Sequence, residues 1–351
     1  MSTIKSSSEH LTLNADGSGK EVKIQRDGTE VLATTSSGVD ISGSVSDTDG
    51  NVRSGRKNLI INGGFDVWQR GTTDSYSTSG SYRSADRVYV NASTASCKLY
   101  QGVFTSSQTA VAGNPTYYGR LDVQTGDNNC GLQLRLENKD LFANRDFTLS
   151  FWAKSDAPKL LNVTIQGYGS TTSVSSTAQT FTATSSWVRY SFTFTLGSTS
   201  AVAGSTTYSR IAINQGADDT TTAWKLDIAN IQLELGSVAT DFEHRSYGEE
   251  LALCQRYFEL PRFGNTAASR WSGADWTGGV SFAVTKRATP TITLSGSPRV
   301  WGDASYASAT SVTTWDVTEG GFGLRAQGGH ASALSVFYGQ DTLVIKADAE
   351  L

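Results

Sequence analysis

Asn58-Leu-Ile-Ile-Asn-Gly-Gly-Phe-Asp-Val-Trp-Gln-Arg-Gly71 is the stretch of sequence that decides the fold. It is the first place along the chain where large apolar residues, glycines and a pair of aromatic residues occur together. Its counterpart, Trp224-Lys-Leu-Asp-Ile-Ala-Asn-Ile-Gln-Leu-Glu-Leu-Gly236, lies far downstream. The segments between the two alternate apolar and polar residues, which predicts one β domain that the first stretch opens and the second closes.

The composition favours an all-β protein that is rich in turns. The 351 residues include 35 glycines and only 5 prolines, and 18% of them are charged. A net charge of −4 without a basic cluster argues against a nucleic-acid partner. The sequence has neither an apolar run of ~18–20 residues nor a signal-peptide core at its N-terminus. We therefore expect a soluble protein that does not insert into membranes and is not exported by the general secretory route.

Residues 57–245 carry the densest strand signals. Apolar residues alternate with polar ones in several runs, of which Val188–Leu196 is the longest. In the closing stretch the apolar parity switches near Ala229-Asn230, which predicts a β-bulge. Short strands separated by Gly/Ser/Thr/Asp loops predict a jelly-roll β-sandwich.

A short connector helix is predicted over residues 246–261. Ser246-Tyr-Gly-Glu249 has the spacing of a capping box, and Pro261 can end the helix. Tyr247, Leu251, Cys254 and Phe258 would share one face. Residues 262–351 hold four of the eight tryptophans and further strand-like runs, which predicts a smaller C-terminal β domain.

The N-terminal residues 1–56 contain no aromatic residue, but short apolar alternations separated by Gly-containing turns suggest hairpins. Such thin strands bury too little surface to offset the entropy of ordering them alone. We expect this extended segment to gain its core from other chains and to act as an attachment and oligomerisation element.

The three cysteines, Cys97, Cys130 and Cys254, are widely spaced, and no Cys/His cluster indicates a metal site. Free thiols made in a reducing cytoplasm are the favoured interpretation, with a Cys97–Cys130 disulfide as the alternative.

Four segments resemble the strands of jelly-roll domains of the carbohydrate-binding-module type. They cover separate parts of residues 57–245, and they are Asn58-Leu-Ile-Ile-Asn-Gly-Gly-Phe65, Phe147-Thr-Leu-Ser-Phe-Trp-Ala-Lys154, Trp187-Val-Arg-Tyr-Ser-Phe-Thr-Phe194 and Leu226-Asp-Ile-Ala-Asn-Ile-Gln-Leu-Glu234. The resemblance implies a domain that binds glycans.

The flanking segments resemble bacteriophage tail-fibre-like virion proteins. The segments that carry this resemblance are His10–Gly19, Gly38–Gly43, Leu253–Phe258, Phe282–Thr291 and the terminus Ala347–Leu351. It implies a phage structural protein, homotrimeric, bound to other virion proteins through residues 1–56 and to host-surface polysaccharide through its β domains. It also implies localisation in the virion after assembly in the host cytoplasm. The alternatives are a head fibre, decoration protein or tail adaptor without receptor recognition and, behind these, a polysaccharide depolymerase.

No motif in the sequence indicates catalysis. The three histidines are isolated, and the acidic pairs Asp218-Asp219 and Glu249-Glu250 are adjacent rather than placed to flank a glycosidic bond. Nucleophile elbows, phosphate loops and zinc spacings are absent from the sequence. We expect a protein that is not an enzyme and needs no cofactor.

A structural calcium ion is conceivable, because the jelly rolls that this chain resembles often bind one near the domain's termini. Asp66, Asp227 and Glu234 are the candidate ligands. Ordinary exposed acids are the favoured alternative.

Exposed aromatic rings are the candidates for sugar binding, because their faces stack on the C–H-rich faces of sugars. Trp152 lies out of phase with the core residue Phe151. Further candidates lie in segments read as loops or as Gly/Ser/Asp-rich stretches; they are Tyr82, Tyr168, Trp271, Trp276 and Trp301, with Tyr76, Tyr117 and Tyr118 behind them. For each tryptophan, burial in a core or a trimer interface is the alternative.

Overall fold

The structure is a computed structural model. It describes residues 23–26, 29–35, 38–40, 56–92, 96–124, 130–216, 223–261, 266–273, 275–296, 299–302, 305–328, 335–338 and 343–351. Within these ranges, the side chains of 23–40, 266–268, 270–272, 299–307 and 335–338 lie outside the description. Residues 1–57 and 58–351 form two compact units. In the described part of the chain, no helix is both long and apolar enough to cross a membrane.

The first unit contains a small antiparallel sheet in the order β1-β2-β3. Its strands are β1 (Lys23–Arg26), β2 (Thr29–Thr35) and β3 (Gly38–Asp40). Strand formation here agrees with the predicted alternation, whereas residues 27–28 and 36–37, in the predicted turns between these strands, lie outside the described residues.

The jelly roll occupies the first part of the second unit. Its strands are β4 (Ser81–Tyr82), β5 (Val88–Asn91), β6 (Cys97–Val103), β7 (Tyr117–Val123), β8 (Gly131–Leu136), β9 (Arg145–Ser155), β10 (Lys159–Gly169), β11 (Val174–Ser175), β12 (Gln179–Ala183), β13 (Val188–Leu196), β14 (Thr207–Gln215) and β15 (Trp224–Leu235). The predicted all-β jelly roll is confirmed.

Two antiparallel sheets form this sandwich. Sheet I has the order β13-β9-β15-β7-β6, and sheet II has the order β11-β10-β14-β8-β5-β4, with β12 also paired to β10. Alternate side chains of each strand point between the sheets, where they form one continuous core. Phe147, Leu149 and Phe151 of β9 are buried there, while the intervening side chains point outward. This alternation decides which residues of sheet I can meet a ligand.

The opening stretch docks directly on the closing strand. Leu59 N–H donates to Leu233 O at 3.0 Å, and Ile231 N–H donates to Gly63 O at 2.9 Å. The contact occurs at the predicted bulge, where the β15–β9 register shifts between Ala229 and Gln232. The closing stretch therefore completes the domain that the opening stretch begins.

The connector helix α1 (Tyr247–Gln255) is shorter than predicted. The Ser246 side chain accepts a hydrogen bond from Glu249 N–H, as the capping-box spacing predicts. The helix does not reach Pro261, because Phe258 and Glu259 form a strand that pairs with the last strand of the chain. Here pairing with a distant segment overrides the local helical pattern.

The C-terminal β region contains two more sheets around a core that includes Trp276 and Leu324. Their orders are β16-β25-β19 and β21-β20-β24-β17-β18-β23-β22. The strands are β16 (Phe258–Glu259), β17 (Thr266–Ser272), β18 (Asp275–Ser281), β19 (Thr291–Gly296), β20 (Arg299–Gly302), β21 (Ser305–Ser308), β22 (Ser311–Trp315), β23 (Gly321–Gln327), β24 (Ser335–Tyr338) and β25 (Leu343–Asp348).

Candidate functional site

The outer face of sheet I carries a row of charged side chains that crosses its three central strands. Lys154 of β9 lies opposite Asp227 of β15, which lies opposite Arg120 of β7. Side chains opposite one another in antiparallel strands lie on the same face. At the far edge, Tyr100 of β6 lies opposite Arg120 and extends the row.

Asp227 is the centre of this row. Arg120 Nε and Nη2 both donate to its carboxylate, the second at 2.6 Å, and Lys154 Nζ lies 3.5 Å from its Oδ2. The Asp227 side chain is 5% exposed, whereas those of Arg120 and Lys154 are about one-third exposed. A buried acid thus fixes two cations, and both keep hydrogen-bond donors accessible from solvent.

Three aromatic rings lie above this row. The ring centroids of Phe104 and Trp187 are 5.2 Å apart, and both rings lie within 5.4 Å of Tyr118. Trp187 precedes the edge strand β13, three strands from β7, which is about 14 Å at the usual strand spacing. The loop before β13 therefore brings Trp187 back across the face. Lys154 Nζ lies 5.3 Å from its ring.

Gly102 makes room for Tyr118. A β-carbon at Gly102 would lie 2.1 Å from two atoms of the Tyr118 ring, so this ring lies over the glycine of the neighbouring strand. The close approach holds the ring against the sheet, and Tyr118 remains half-buried with part of its surface in solvent. We call the following set the outer-face site: Tyr100, Phe104, Tyr118, Arg120, Lys154, Trp187 and Asp227.

The surroundings of Arg120 and Tyr118 keep both side chains in the protonated form, which donates hydrogen bonds. Hydrogen bonding to Asp227 raises the pKa of Arg120, so its guanidinium remains charged. Burial raises the pKa of Tyr118, with a further contribution from Asp227, so its phenol remains protonated at neutral pH. Its hydroxyl oxygen accepts from Arg120 Nη2 at 3.2 Å, which leaves the O–H proton available to a ligand.

A second cluster of aromatic and polar side chains borders the outer-face site at the β6 edge of sheet I. Tyr76 is 39% exposed; its hydroxyl donates to Asp122 Oδ2 at 2.9 Å and accepts from Gln124 Nε2 at 2.7 Å. Lys98 Nζ lies 4.6 Å from the Tyr76 ring centroid and 5.0 Å from that of Tyr100. Aromatic and charged side chains thus continue to the edge of the sheet.

The other half of the outer face is covered by the segment that follows β15. Thr240 donates through its N–H and hydroxyl to Glu234, and Gln232 donates to Thr240 and Asp241. Thr148 donates to Gly236 O at 2.8 Å. This cover restricts the accessible face to the half that carries the outer-face site.

Trp152 is the one predicted sugar-binding candidate of the six that lies on this face. It sits in β9 opposite Arg189 and Ala229, is half-buried, and points away from the core as its sequence parity predicts. Tyr118 and Tyr76 also belong to the face, but Tyr117 and Tyr118 lie in strand β7 rather than in a loop.

Two other predicted candidates are placed elsewhere by the structure. Trp276 is completely buried in the C-terminal core, so no ring face is free for a sugar, and the prediction for it is wrong. Tyr82 lies among three guanidinium groups, 5.6–5.9 Å from its ring centroid, and burial raises its pKa to about 12. That ring belongs to the junction between the jelly roll and the C-terminal tail.

The remaining candidates lie outside the outer-face site. Tyr168 belongs to sheet II, where it stacks on Tyr208 at 4.6 Å with Arg210 4.6 Å from its ring centroid. Trp271 and Trp301 lie in β17 and β20, but their side chains lie outside the described residues.

The three calcium candidates do not come together. Asp227 pairs with Arg120, Glu234 accepts hydrogen bonds from Thr240, and Asp66 lines a separate cleft of about 270 Å³ with His244. Among the described residues, no group of three or more His, Cys, Asp or Glu side chains could hold a metal ion. The calcium alternative therefore gains no support as a single site. The favoured interpretation as ordinary exposed acids is wrong for Asp227 and Glu234, which are both buried and accept hydrogen bonds from Arg120 and Thr240. Cys97 and Cys130 are both buried as thiols.

The sequence analysis did not predict Arg120, Lys154 or Trp187 as site residues. It named Asp227 only as a calcium candidate and not as the group that orients Arg120 and Lys154. Arg120, Lys154 and Asp227 have the outward parity of their strands, which is visible in the sequence, whereas Trp187 lies in the loop before β13. What the sequence does not give is the strand order that places β9, β15 and β7 side by side.

Comparison with protein families gives one match. A family model described as "Carbohydrate binding domain" matches residues 103–220, a range that contains Phe104, Tyr118, Arg120, Lys154 and Trp187. A search of curated proteins found no match.

Several solved structures are similar to parts of the chain. The N-terminal cellulose-binding domain of Cellulomonas fimi β-1,4-glucanase C is 18% identical, with a TM-score of 0.28, over 37% of this chain and 88% of that one. The CBM22-1 xylan-binding domain of Paenibacillus barcinonensis Xyn10C is 16% identical, with a TM-score of 0.31, over 53% and 100%. The enzymatically active domain of bacteriophage CBA120 tailspike protein 4 is 14% identical, with a TM-score of 0.32, over 51% and 21%.

The chain thus contains a domain like the carbohydrate-binding modules, with a jelly-roll fold.

Proposed function

We propose that the jelly roll binds glycans through the outer-face site. The observation that carries this proposal is the row Lys154–Asp227–Arg120 on an accessible sheet face, with the rings of Tyr100, Tyr118 and Trp187 beside it. Rings that stack on sugar C–H faces, next to a few oriented polar groups, are what sugar recognition requires. The carbohydrate-binding family match over residues 103–220 supports the same function.

The roles of the site residues follow from their contacts. Trp187 and Tyr118 offer partly exposed ring surface, while Arg120, Lys154 and the Tyr118 hydroxyl offer donors to sugar oxygens. Asp227 fixes both cations in place. Because its two oxygens already engage Arg120 and Lys154, Asp227 serves as an orienting group and not as a nucleophile or general acid. We therefore propose binding without catalysis.

The test is binding of the full-length protein to an array of purified bacterial lipopolysaccharides and capsular polysaccharides. We expect Trp187→Ala and Arg120→Ala to lower the affinity for any bound glycan at least about tenfold, since each removes a stacking or charge-assisted contact. Tyr168→Ala is the matched control, because it removes an aromatic ring from the other sheet. Loss of binding in the control alone would move the site to sheet II.

We further propose that the chain is a phage structural protein of the tail-fibre type. In this proposal it is a homotrimer that attaches to other virion proteins through residues 1–56 and contacts host-surface polysaccharide through its β domains. Support comes from the resemblance of its flanking segments to virion proteins and from the aromatic-free N-terminal segment, which has little core of its own.

Light scattering on the full-length chain and on a chain that starts at Lys57 tests this assembly. We expect a trimer for the first and a monomer for the second, because the N-terminal segment is proposed to gain its core from other copies. Two trimers would assign assembly to the β domains. Two monomers would contradict the fibre. Gold-labelled antibody that decorates the capsid instead of the tail would favour a head fibre or decoration protein.

A further inference from the structure

An exposed tryptophan lies flat on the C-terminal β region, far along the chain from the family match. Trp315 ends the edge strand β22 and is 52% exposed. It lies opposite Gly323 of β23, where a β-carbon would come within 2.7 Å of three ring atoms, 2.3 Å for Cε2. One face of the indole is therefore seated on the glycine, and the other face is open to solvent.

Glycines extend the floor beside this ring. Gly323 lies opposite Gly279 of β18, and Gly321 lies opposite Ser281. A β-carbon at Gly279 would meet no atom within 4 Å, so the space above it is empty. The opposite face of the same strands carries the buried core residues Val280 and Phe322. The sheet thus presents a groove of about 560 Å³ whose floor is nearly bare backbone.

Polar groups surround the floor. Ser269, Thr277, Ser281 and Thr318 supply hydroxyl groups, and Asp316 is the one charged side chain among the lining residues that the structure describes. Arg325, the next residue on the same face of β23, is paired with Asp275. At the other end, Thr318 Oγ1 donates to Gly321 O at 3.0 Å and closes a turn.

We propose that this groove, which we call the Trp315 platform, is a second glycan-binding site and that it takes neutral polysaccharides. One free aromatic face surrounded by hydroxyls suits a sugar, which offers both a C–H face and hydroxyl groups. A protein partner would need a larger apolar contact than one ring on a glycine floor provides. Because the one unpaired charge among the described lining residues is an acid, uronic, sialylated or sulfated chains are disfavoured. This site is independent of the outer-face site.

The experiment is affinity electrophoresis of the full-length protein in gels that contain dextran, yeast mannan, laminarin or xyloglucan, with alginate and hyaluronan as anionic comparisons. All variants carry Trp187→Ala, which removes the jelly-roll site. Trp315→Ala removes the platform, and Trp315→Phe keeps a smaller one. A β-carbon at Gly279 would meet no atom within 4 Å, so we expect Gly279→Val to place its side chain in the groove and block it while the fold is kept, which circular dichroism of the variant checks.

We expect at least one neutral polysaccharide to retard the Trp187→Ala protein, and Trp315→Ala and Gly279→Val each to weaken this affinity at least about tenfold. Trp315→Phe should retain part of it. The proposal is overturned if no neutral polysaccharide retards the Trp187→Ala protein, if retardation is unchanged by Trp315→Ala, or if only the anionic chains bind. A change of molar mass on Trp315→Ala would also overturn it, because the ring would then be an interface between copies. Failure of the jelly-roll proposal is distinct: binding would then be unaffected by Trp187→Ala alone.

Discussion

The buried carboxylate of Asp86 is held by an arginine and a glutamine. Asp86 lies under the opening stretch, where Arg70 Nη1 donates to its Oδ1 at 2.9 Å and the Gln69 backbone and side chain donate to its Oδ2. The carboxylate is almost fully buried, and desolvation outweighs the attraction of Arg70. Burial therefore raises the pKa of Asp86 to about 6.

This shift makes stability depend on pH in a definite direction. Because the folded pKa of Asp86 lies above its unfolded value of 3.8, the folded state binds the extra proton between about pH 4 and pH 6. The contribution of Asp86 to stability is complete below pH 4 and is lost as the pH rises through 6. We expect the unfolding free energy of the wild type, relative to Asp86→Asn, to fall by up to about 3 kcal/mol across this window. Urea denaturation of both proteins from pH 4 to 7 measures this difference in unfolding free energy. A difference that does not change with pH would contradict the prediction.

The direction in which a side chain points was predicted correctly where strand parity alone decides it, whereas the sugar-binding role of Trp152 stays a prediction. Trp152 is outward because its neighbour Phe151 is in the core. Trp276 shows the limit of sequence reasoning. Its Gly/Asp-rich surroundings suggest a loop, yet it is the second residue of β18, which pairs with β23, and its side chain is buried in the core. The position of Trp315 could not be predicted, because the glycine on which its ring lies, directly opposite in β23, is identified only by the strand register.

Among the elements, the opening stretch lies close against β15. Asn58 joins it with two more hydrogen bonds: its Nδ2 donates to Ile231 O at 3.1 Å, and its Oδ1 accepts from Leu233 N–H at 3.1 Å. A β-carbon at Gly63 would lie 2.1 Å from Ile231 O, so only glycine allows the two backbones to approach this closely.

Gly63→Ala should therefore destabilise the jelly roll by about 2 kcal/mol or more, because the backbone contact must open and leave buried polar groups unpaired. Gly248→Ala in α1 is the matched control: its β-carbon meets nothing within 4 Å, and alanine favours the helix by about 1 kcal/mol. Thermal and urea unfolding of both variants measure the difference. Equal stability of the two would show that the opening stretch does not hold the closing strand.

The sequence predicted most of these elements, because alternation and capping are local signals. The β13 alternation, the bulge near Ala229 and the Ser246 cap were all visible. The end of α1 at Gln255 could not be predicted, because Phe258 pairs with Asp348, ninety residues away in the chain, instead of continuing the helix. The outer-face site was invisible for the same reason, as it depends on the order of five strands.

At the scale of the second unit, the chain's last residues fasten the C-terminal β region to the jelly roll. Glu350 accepts from Arg70 at 3.3 Å and from Arg87, and its side chain is 5% exposed. The guanidinium carbon of Arg87 lies 3.4 Å from the ring centroid of Tyr257, just after α1. Arg287 of the C-terminal region donates to Glu350 O at 2.8 Å. Glu350 thus contacts the jelly roll through its carboxylate and the C-terminal region through its backbone carbonyl.

Glu350→Gln should cost about 3–5 kcal/mol of unfolding free energy, because it leaves Arg87 buried without its counter-charge. Asp348→Asn is the control on the same tail: its side chain is 45% exposed and 3.5 Å from Arg70, so we expect a loss of at most about 1 kcal/mol. Amide hydrogen exchange then shows which strands lose stability in the variant. If Glu350 couples the jelly roll to the C-terminal region, the amides of β25, β16 and β9 should exchange at similar rates in the wild type. In the Glu350→Gln variant, the amides of β25 and β16 should exchange faster than those of β9. Equal losses for the two variants, or protection of β25 that does not change, would mean that the jelly roll and the C-terminal region are held together by their apolar contacts instead.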